Sequence, residues 1–161
     1  MLSSHNEITE IYNRQVNTIY RVCFTFMKNP ADTEDSVSET FYRLIKKSPV
    51  FNDTEHEKAW LIRTAGNVCK DFLKKRHRRD EDISTYSNIL RHTDSDNRDV
   101  LEAVLSLPEK YKLTVWLYYY EGYKSAEVAK ILKKPESTIR NYLSEARKLL
   151  KTILGDDYYE K

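Results

Sequence analysis

The chain has 161 residues with 27 Lys and Arg against 25 Asp and Glu, a formal net charge of +2 that does not by itself indicate a nucleic-acid partner. Its length suits one domain or two small ones. The chain has only 3 Gly and 4 Pro and no alternating run rich in Val, Ile or Thr, which predicts an all-α protein. No apolar run approaches the ~18 residues of a membrane span and no signal-peptide pattern is recognisable, so we expect a soluble, cytoplasmic protein.

Two helices are predicted at the start of the chain. Apolar residues at helical spacing indicate the first over residues 8–28. Its apolar stripe consists of Ile8, Tyr12, Val16, Ile19, Cys23 and Phe26. Asn29 can cap a second helix, Pro30–Lys47, in which Pro30 suits the first position. The residues expected to be buried on this helix are Val37, Phe41 and Leu44, with Ile45 as a further candidate.

Acidic residues cluster on the other side of the second helix, at Asp32, Asp35 and Glu39. Acids in a first turn stabilise the helix through its dipole by ~0.3–1 kcal/mol each, which accounts for Asp32 and Glu34 but not for Glu39. A carboxylate face could be merely solvated, could bind a basic partner, or could hold magnesium for a nuclease. The residues alone leave these three interpretations open.

A third helix is predicted over residues 57–79, after a polar loop that contains Phe51 as an isolated aromatic residue. Its apolar stripe consists of Leu61, Ala65, Val68 and Phe72, with Cys69 beside it. Its other side offers Arg63, Asn67, Lys70 and Lys74, with Trp60 at the edge. The two cysteines, Cys23 and Cys69, have neither CxxC nor zinc-like spacing, so we expect reduced core residues and no metal site.

The end of the third helix is strongly basic, with six cations between Lys70 and Arg79 against the single acid Asp71. Cations at a helix C-terminus favour the dipole, but this number exceeds what capping needs and favours contact with phosphate. Trp60 beside such a surface could stack on an unpaired base, or it could pack in the core.

Residues 80–99 are poor in apolar side chains and carry 2 cations against 6 acids, which predicts a flexible acidic linker. The blocks on either side, residues 1–79 and 100–161, are weakly basic and are expected to form two small helical domains. The second should contain a short helix over residues 100–107. A nearly all-apolar core helix should follow, Pro108–Glu121, ended by Gly122.

The stretch from Ser125 onwards predicts a helix-turn-helix. A short helix, Ser125–Leu132, stops before Pro135, and Pro135 suits the first turn of the next helix. That helix has an apolar stripe at Ile139, Leu143, Ala146, Leu150 and Ile153. Its opposite side carries Ser137, Asn141, Ser144 and Lys148, flanked by Arg140, Arg147 and Lys151. This pattern is typical of a recognition helix, although an amphipathic surface helix would share it.

Three segments in this order resemble the bacterial sigma factors, specifically the small two-domain extracytoplasmic-function type. Region 2.2 of that family resembles NPADTEDSVSETFYRLIKK, residues 29–47, and regions 2.3 and 2.4 resemble AWLIRTAGNVCKDFLKKRHRR, residues 59–79. Region 4 resembles LPEKYKLTVWLYYYEG, residues 107–122, followed by EVAKILKKPESTIRNYLSEARKLL, residues 127–150. The resemblance covers most of the chain and implies an initiation factor without catalytic chemistry or a cofactor.

The resemblance also implies roles for the faces left open above. Asp35 and Glu39, with Ser38 between them, match positions that bind the β′ coiled coil of core RNA polymerase. Positions for the minus-ten promoter element are matched by Trp60, Arg63, Asn67, Lys70 and Lys74, and the loop around Phe51 resembles the one that receives a flipped base. Positions for the minus-thirty-five element are matched by Ser137, Arg140, Asn141, Ser144, Arg147 and Lys148. A β-flap contact by the second domain and an anti-sigma partner are implied as well.

Three residues depart from the family pattern. Ser38 stands where a glutamine is usual, which predicts one weaker polymerase contact. Leu61 takes the second place of an aromatic pair used in melting, which predicts weaker intrinsic melting. Lys133 stands where the turn of the helix-turn-helix usually has glycine, so we expect a different turn geometry there.

Three other functional classes would each behave differently. A free-standing helix-turn-helix regulator would bind DNA tightly without polymerase, and a nuclease would need magnesium at Asp35 and Glu39. A pure adaptor would leave both basic surfaces unexplained.

Overall fold

The computed structural model describes the backbone of residues 5–79 and 95–155, and the side chains of these residues except 77–79 and 95–98. In this part of the chain every regular element is a helix, which confirms the all-α prediction. None of these helices combines the length and the apolar character that crossing a bilayer requires. Contacts divide the chain into two compact units, Met1–Glu81 and Asp82–Lys161. Of the expected linker, residues 80–94 lie outside the described residues, and a helix begins at Ser95, inside the predicted bounds.

The described part of the first unit consists of α1 (His5–Met27), α2 (Pro30–Lys47) and α3 (Thr54–Arg79), and each helix packs against the other two. Its fully buried apolar side chains include Ile19, Val22, Leu44, Leu61, Ile62 and Val68. Cys23 and Cys69 are buried in this core, as predicted. A hydrogen bond with Cys69, and then burial, raise the pKa of the Cys23 thiol above its ordinary value.

Side-chain caps fix the ends of two helices. The Oδ1 atom of Asn29 accepts a hydrogen bond of 2.9 Å from the backbone N–H of Asp32, so α2 begins where its cap was predicted. Helix α3 begins at Thr54, three residues before the predicted start. The reason is local, because the Oδ1 atom of Asp53 accepts a hydrogen bond of 2.7 Å from the backbone N–H of His56.

Two predictions about the core of this unit are wrong. Tyr12 is 44% exposed and sets its ring edge-on against Phe41, while Ile11 beside it is buried. Helix α1 packs against two neighbours, so its buried face is wider than the predicted stripe and is displaced from it. Ile45 is 49% exposed, because α2 buries the side that carries Val37 and Leu44 instead.

A partly buried ion pair joins α1 to the first turn of α3, and the sequence did not indicate it. The carboxylate of Glu57 accepts hydrogen bonds of 2.7 and 3.0 Å from the guanidinium of Arg14 and one of 2.8 Å from Nε2 of Gln15. Burial raises the pKa of Glu57, but these hydrogen bonds and the charge of Arg14 outweigh it, so the pKa lies below its ordinary value.

The described part of the second unit begins with α4 (Ser95–Leu105) and α5 (Glu109–Val115) and ends with the helix-turn-helix, α6 (Ser125–Leu132) and α7 (Glu136–Leu154). Its core is formed by Leu105, Leu107, Val115, Leu117, Val128, Ile139, Leu143 and Ala146. Ile153, predicted to belong to the buried stripe of α7, is 53% exposed because it lies in the last turn of that helix.

Helix α5 continues into a π-helical turn, Trp116–Tyr120, where one regular helix was predicted. The backbone N–H of Glu121 donates to the carbonyl of Trp116 at 3.1 Å, a bond that spans five residues rather than four. One extra residue in a turn rotates the side chains after it by about 100° around the helix axis. Tyr119 and Tyr120 are therefore about half exposed, which corrects the prediction that this helix is buried on nearly all sides.

The turn between α6 and α7 keeps the left-handed corner that glycine usually occupies. Lys133 itself has φ 54° and ψ 48°, and the backbone N–H of Lys134 donates to the carbonyl of Ala129 at 3.0 Å. The expectation that Lys133 changes the turn geometry is therefore wrong. The lysine adopts the strained conformation, because the hydrogen bonds at the end of α6 and the packing of both helices require it.

Candidate functional site

The outer side of α2 combines carboxylates with exposed apolar groups. Asp35 and Ser38 are exposed and Glu39 is partly exposed. Tyr42, 55% exposed, and Ile45 lie on the same side, because steps of three and four residues keep a helix face. Large apolar side chains exposed beside charges are typical of a protein-binding surface.

Arginines engage two of the acids that were candidates for magnesium. Arg76 forms an ion pair with Asp32, whose carboxylate also accepts a hydrogen bond of 2.9 Å from Nδ2 of Asn29. Arg43 contacts Glu39 at 3.3 Å. Among the described residues, no group of three or more His, Cys, Asp or Glu side chains is arranged to hold a metal ion.

An aromatic cluster joins Phe51, in the loop before α3, to His56 and Trp60 at the start of α3. The ring of Phe51 lies edge-on to His56 at 5.4 Å and to Trp60 at 6.0 Å between centroids. The imidazole Nδ1 of His56 accepts a hydrogen bond of 3.1 Å from the backbone N–H of Asn52, which closes the loop. The structure thus brings the predicted Phe51 and Trp60 together, and Trp60 is half-buried at the surface rather than enclosed in the core.

The outer side of α3 continues from this cluster as a row of polar and basic groups. Asn67, Lys70 and Lys74 are exposed along it. Arg63 is half-buried, and burial lowers the pKa of its guanidinium. A cationic row beside partly buried aromatic rings is typical of surfaces that bind single-stranded nucleic acid.

On α7 all six predicted promoter residues are exposed, but they do not all share one environment. Ser137, Asn141, Ser144 and Lys148 line the side opposite the core, with Arg140 paired to Glu136 at 3.0 Å. Arg147 instead donates from Nε to the hydroxyl of Tyr119 at 2.8 Å. The second unit therefore has the fold of a helix-turn-helix DNA-binding protein. One of the six residues, Arg147, contacts Tyr119 instead of pointing with the others to the side opposite the core.

Arg147 lies at the rim of an apolar groove that the sequence did not predict. The groove has a volume of about 260 Å³, and its other lining residues are Val100, Val104, Val115, Tyr119, Tyr120, Leu150 and Leu154. In the sequence, the run of three tyrosines was the one available sign of this groove. Their exposure depends on the π-helical turn, which no local sequence pattern predicts.

Comparison with known proteins gives the family. The model for Sigma-70 region 2 matches residues 11–79, and the model for Sigma-70, region 4 matches residues 97–150. The chain is 26% identical over 138 residues to RNA polymerase sigma factor SigV of Bacillus subtilis (strain 168), which covers 84% of this chain and 83% of SigV. It is 28% identical over 155 residues to ECF RNA polymerase sigma factor SigM of the same strain, covering 91% and 94%.

The fold also matches that of solved sigma factors. The sigma factor RpoE of Bartonella quintana, solved in complex with the anti-sigma factor NepR, superposes with a TM-score of 0.69 at 18% identity over 92% of this chain and 96% of RpoE. The chain belongs to the sigma-70 family, in its extracytoplasmic-function (ECF) group, and functions as a sigma factor that directs RNA polymerase to promoters.

Proposed function

We propose that the two units divide the work of promoter recognition, the first holding core RNA polymerase and unpaired minus-ten bases and the second reading the duplex minus-thirty-five element. No catalytic step belongs to the chain itself. It acts in the cytoplasm, where polymerase and chromosomal DNA lie. The observation that carries this proposal is that one three-helix unit has exposed acidic and apolar side chains on the outer face of α2, and a cationic row beside aromatic rings on α3.

The contact with core polymerase is made by the outer face of α2. Asp35, Ser38 and Glu39 provide the polar groups for the basic side chains of the β′ coiled coil. Tyr42 and Ile45 extend the same face with apolar area, and exposed tyrosines are often the residues that dominate binding energy. Ser38 is shorter than the glutamine that the family usually has at this position, so the neighbouring residues make a larger part of this contact.

The minus-ten contact uses the loop and the outer side of α3. Phe51 and Trp60 offer aromatic faces and edges for an unstacked base, while Arg63, Asn67, Lys70 and Lys74 follow the strand along the helix. Stacking on an aromatic side chain contributes ~1–3 kcal/mol per base, comparable to the few kcal/mol that unstacking costs. Binding of this kind can drive melting without ATP.

The minus-thirty-five contact uses α7. Asn141, Ser137 and Ser144 are short enough to reach base edges in the major groove, and Arg140 and Lys148 are placed for phosphates on either side. Arg147 belongs to this contact as a flanking cation once it leaves Tyr119.

Two further partners are proposed for the chain. The apolar groove between α4, α5 and α7 receives the β-flap of core polymerase, since its apolar walls and single arginine suit an amphipathic helix. A structural neighbour was solved with an anti-sigma factor. A protein of that class is accordingly the proposed regulator here.

Run-off transcription with core polymerase on a promoter library tests the proposal. We expect transcripts that depend on this protein. Asp35→Arg should abolish core binding, whereas Glu10→Arg, the same charge reversal on α1, should leave it intact. Asn141→Ala should relax promoter choice without weakening core binding. Tight, specific duplex binding without any protein-dependent transcript would instead identify a free-standing helix-turn-helix regulator.

A further inference from the structure

One arginine connects the two surfaces of the first unit. From α2, Arg43 reaches Glu39 on its own helix with Nε at 3.3 Å and Asp71 on α3 with Nη2 at 3.2 Å. The three side chains line a cavity of about 350 Å³ between the helices, together with Phe72, Lys74 and Lys75. The side chain of Arg43 is only 28% exposed, so its movement is restricted to this space.

Both contacts are longer than a good charge-assisted hydrogen bond. Such bonds between a guanidinium and a carboxylate measure about 2.7–2.9 Å and are often bidentate. Arg43 makes one contact with each acid at 3.2–3.3 Å instead. Its guanidinium is therefore shared between Glu39 and Asp71. If another group pairs with one carboxylate, Arg43 can pair fully with the other.

The two carboxylates belong to different surfaces. Glu39 lies on the proposed polymerase face, whereas Asp71 follows Lys70 and precedes Lys74 on the proposed promoter helix. It is the single acid among residues 70–79. A half-neutralised carboxylate at this position repels the phosphates that the surrounding lysines attract.

We propose that Arg43 is a positioning residue that couples polymerase binding to promoter binding. A basic group of the polymerase that pairs with Glu39 releases Arg43 to Asp71, where it neutralises the acid within the cationic row. The affinity of this row for single-stranded DNA then rises. The direction of this effect rests on the proposed role of Glu39, but the competition between the two acids is a property of the protein alone.

The competition is measured on the full-length protein with a labelled single-stranded oligonucleotide of mixed sequence, by fluorescence anisotropy at low salt. Glu39→Gln, which mimics occupation of Glu39, should tighten binding about twofold to fivefold, the size expected for an exposed ion pair. Glu34→Gln removes the same charge from the same helix, on the side away from Arg43. It should have a smaller effect.

A double-mutant cycle separates the coupling from general electrostatics. Asp71→Asn should also tighten binding, and in that background Glu39→Gln should add no more than Glu34→Gln does. In an Arg43→Gln background the excess effect of Glu39→Gln should vanish, and Arg43→Lys should restore part of it. Equal effects of Glu39→Gln and Glu34→Gln, or additive effects of Glu39→Gln and Asp71→Asn, would overturn the proposal.

Two controls keep the outcomes distinct. Thermal unfolding midpoints of the variants should agree with that of the unaltered protein, since exposed ion pairs contribute little to stability. Core affinity is measured separately with Asp35→Arg. If that variant binds core polymerase normally, the proposed polymerase face is wrong, whatever the DNA cycle gives. If core binding is lost but the cycle is additive, the polymerase face stands and the coupling through Arg43 is wrong.

Discussion

The hydroxyl of Tyr119 accepts a hydrogen bond of 2.8 Å from Nε of Arg147, so a residue of the π-helical turn holds an arginine of α7 at the apolar groove. The guanidinium also lies 5.9 Å from the centroid of the tyrosine ring. Arg147 is thereby placed between two proposed partners, promoter DNA and the β-flap.

This placement predicts different roles for two neighbouring cations. Lys148→Ala should weaken duplex binding and reduce the slope of log affinity against log salt by about 1, because it removes a phosphate contact. Arg147→Ala should change that slope less and should weaken core binding more. Duplex titrations over a salt series, with core binding measured in parallel, check this. Equal slopes for the two variants would place Arg147 fully in the promoter contact.

Tyr42 is predicted to dominate the polymerase contact. Tyr42→Ala should reduce core affinity about tenfold or more, while the free energy of unfolding changes little because the side chain is 55% exposed. Tyr12→Ala is the matched control. Its ring packs on Phe41 at 4.9 Å, so that variant should lose stability and keep its core affinity. The same loss of core affinity in both variants would argue against a specific role for Tyr42.

The ion pair between the buried Glu57 and the partly exposed Arg14 predicts a pH-dependent contribution to stability. The pKa of Glu57 is lowered in the folded state, so its contribution is complete above the unfolded pKa and is lost as pH falls through the folded one. Glu57→Gln should therefore cost about 1–2 kcal/mol at neutral pH and much less in acid. This expected loss is smaller than the loss on breaking a fully buried ion pair, because Arg14 is 43% exposed.

Urea unfolding at neutral and acidic pH measures this difference. Glu55→Gln, an exposed acid in the same turn, should change stability little at either pH. A cost for Glu57→Gln that does not depend on pH would show that packing, rather than charge, is lost.

Lys133→Gly is predicted to stabilise the second unit by about 0.5–1 kcal/mol. Relief of a left-handed conformation gains about 1–2 kcal/mol, and the backbone entropy of glycine offsets about 0.5–1 kcal/mol of it. Lys134→Gly should destabilise instead, because the residue before Pro135 does not have a positive φ. Denaturant unfolding distinguishes the two, and a loss of stability in both variants would mean that Lys133 is not strained.

Local chemistry made much of this fold predictable. Asn29 and Pro30 fixed the start of α2, and the step from Leu132 to Pro135 fixed the turn of the helix-turn-helix. The features that escaped prediction depend on residues distant in sequence. Glu57 meets Arg14 across 43 positions, and Arg147 meets Tyr119 across 28. The π-helical turn escaped prediction for a different reason, because its residues individually suit an ordinary helix.

The two tryptophans give each unit its own fluorescence signal. Trp116 stacks on Tyr120 with centroids 4.3 Å apart, and Tyr120 is a wall of the groove. The other tryptophan, Trp60, belongs to the aromatic cluster of the first unit. Each unit thus carries one tryptophan beside its proposed binding surface. When either tryptophan is replaced with phenylalanine, tryptophan emission excited selectively over the 12 tyrosines reports on the other unit alone.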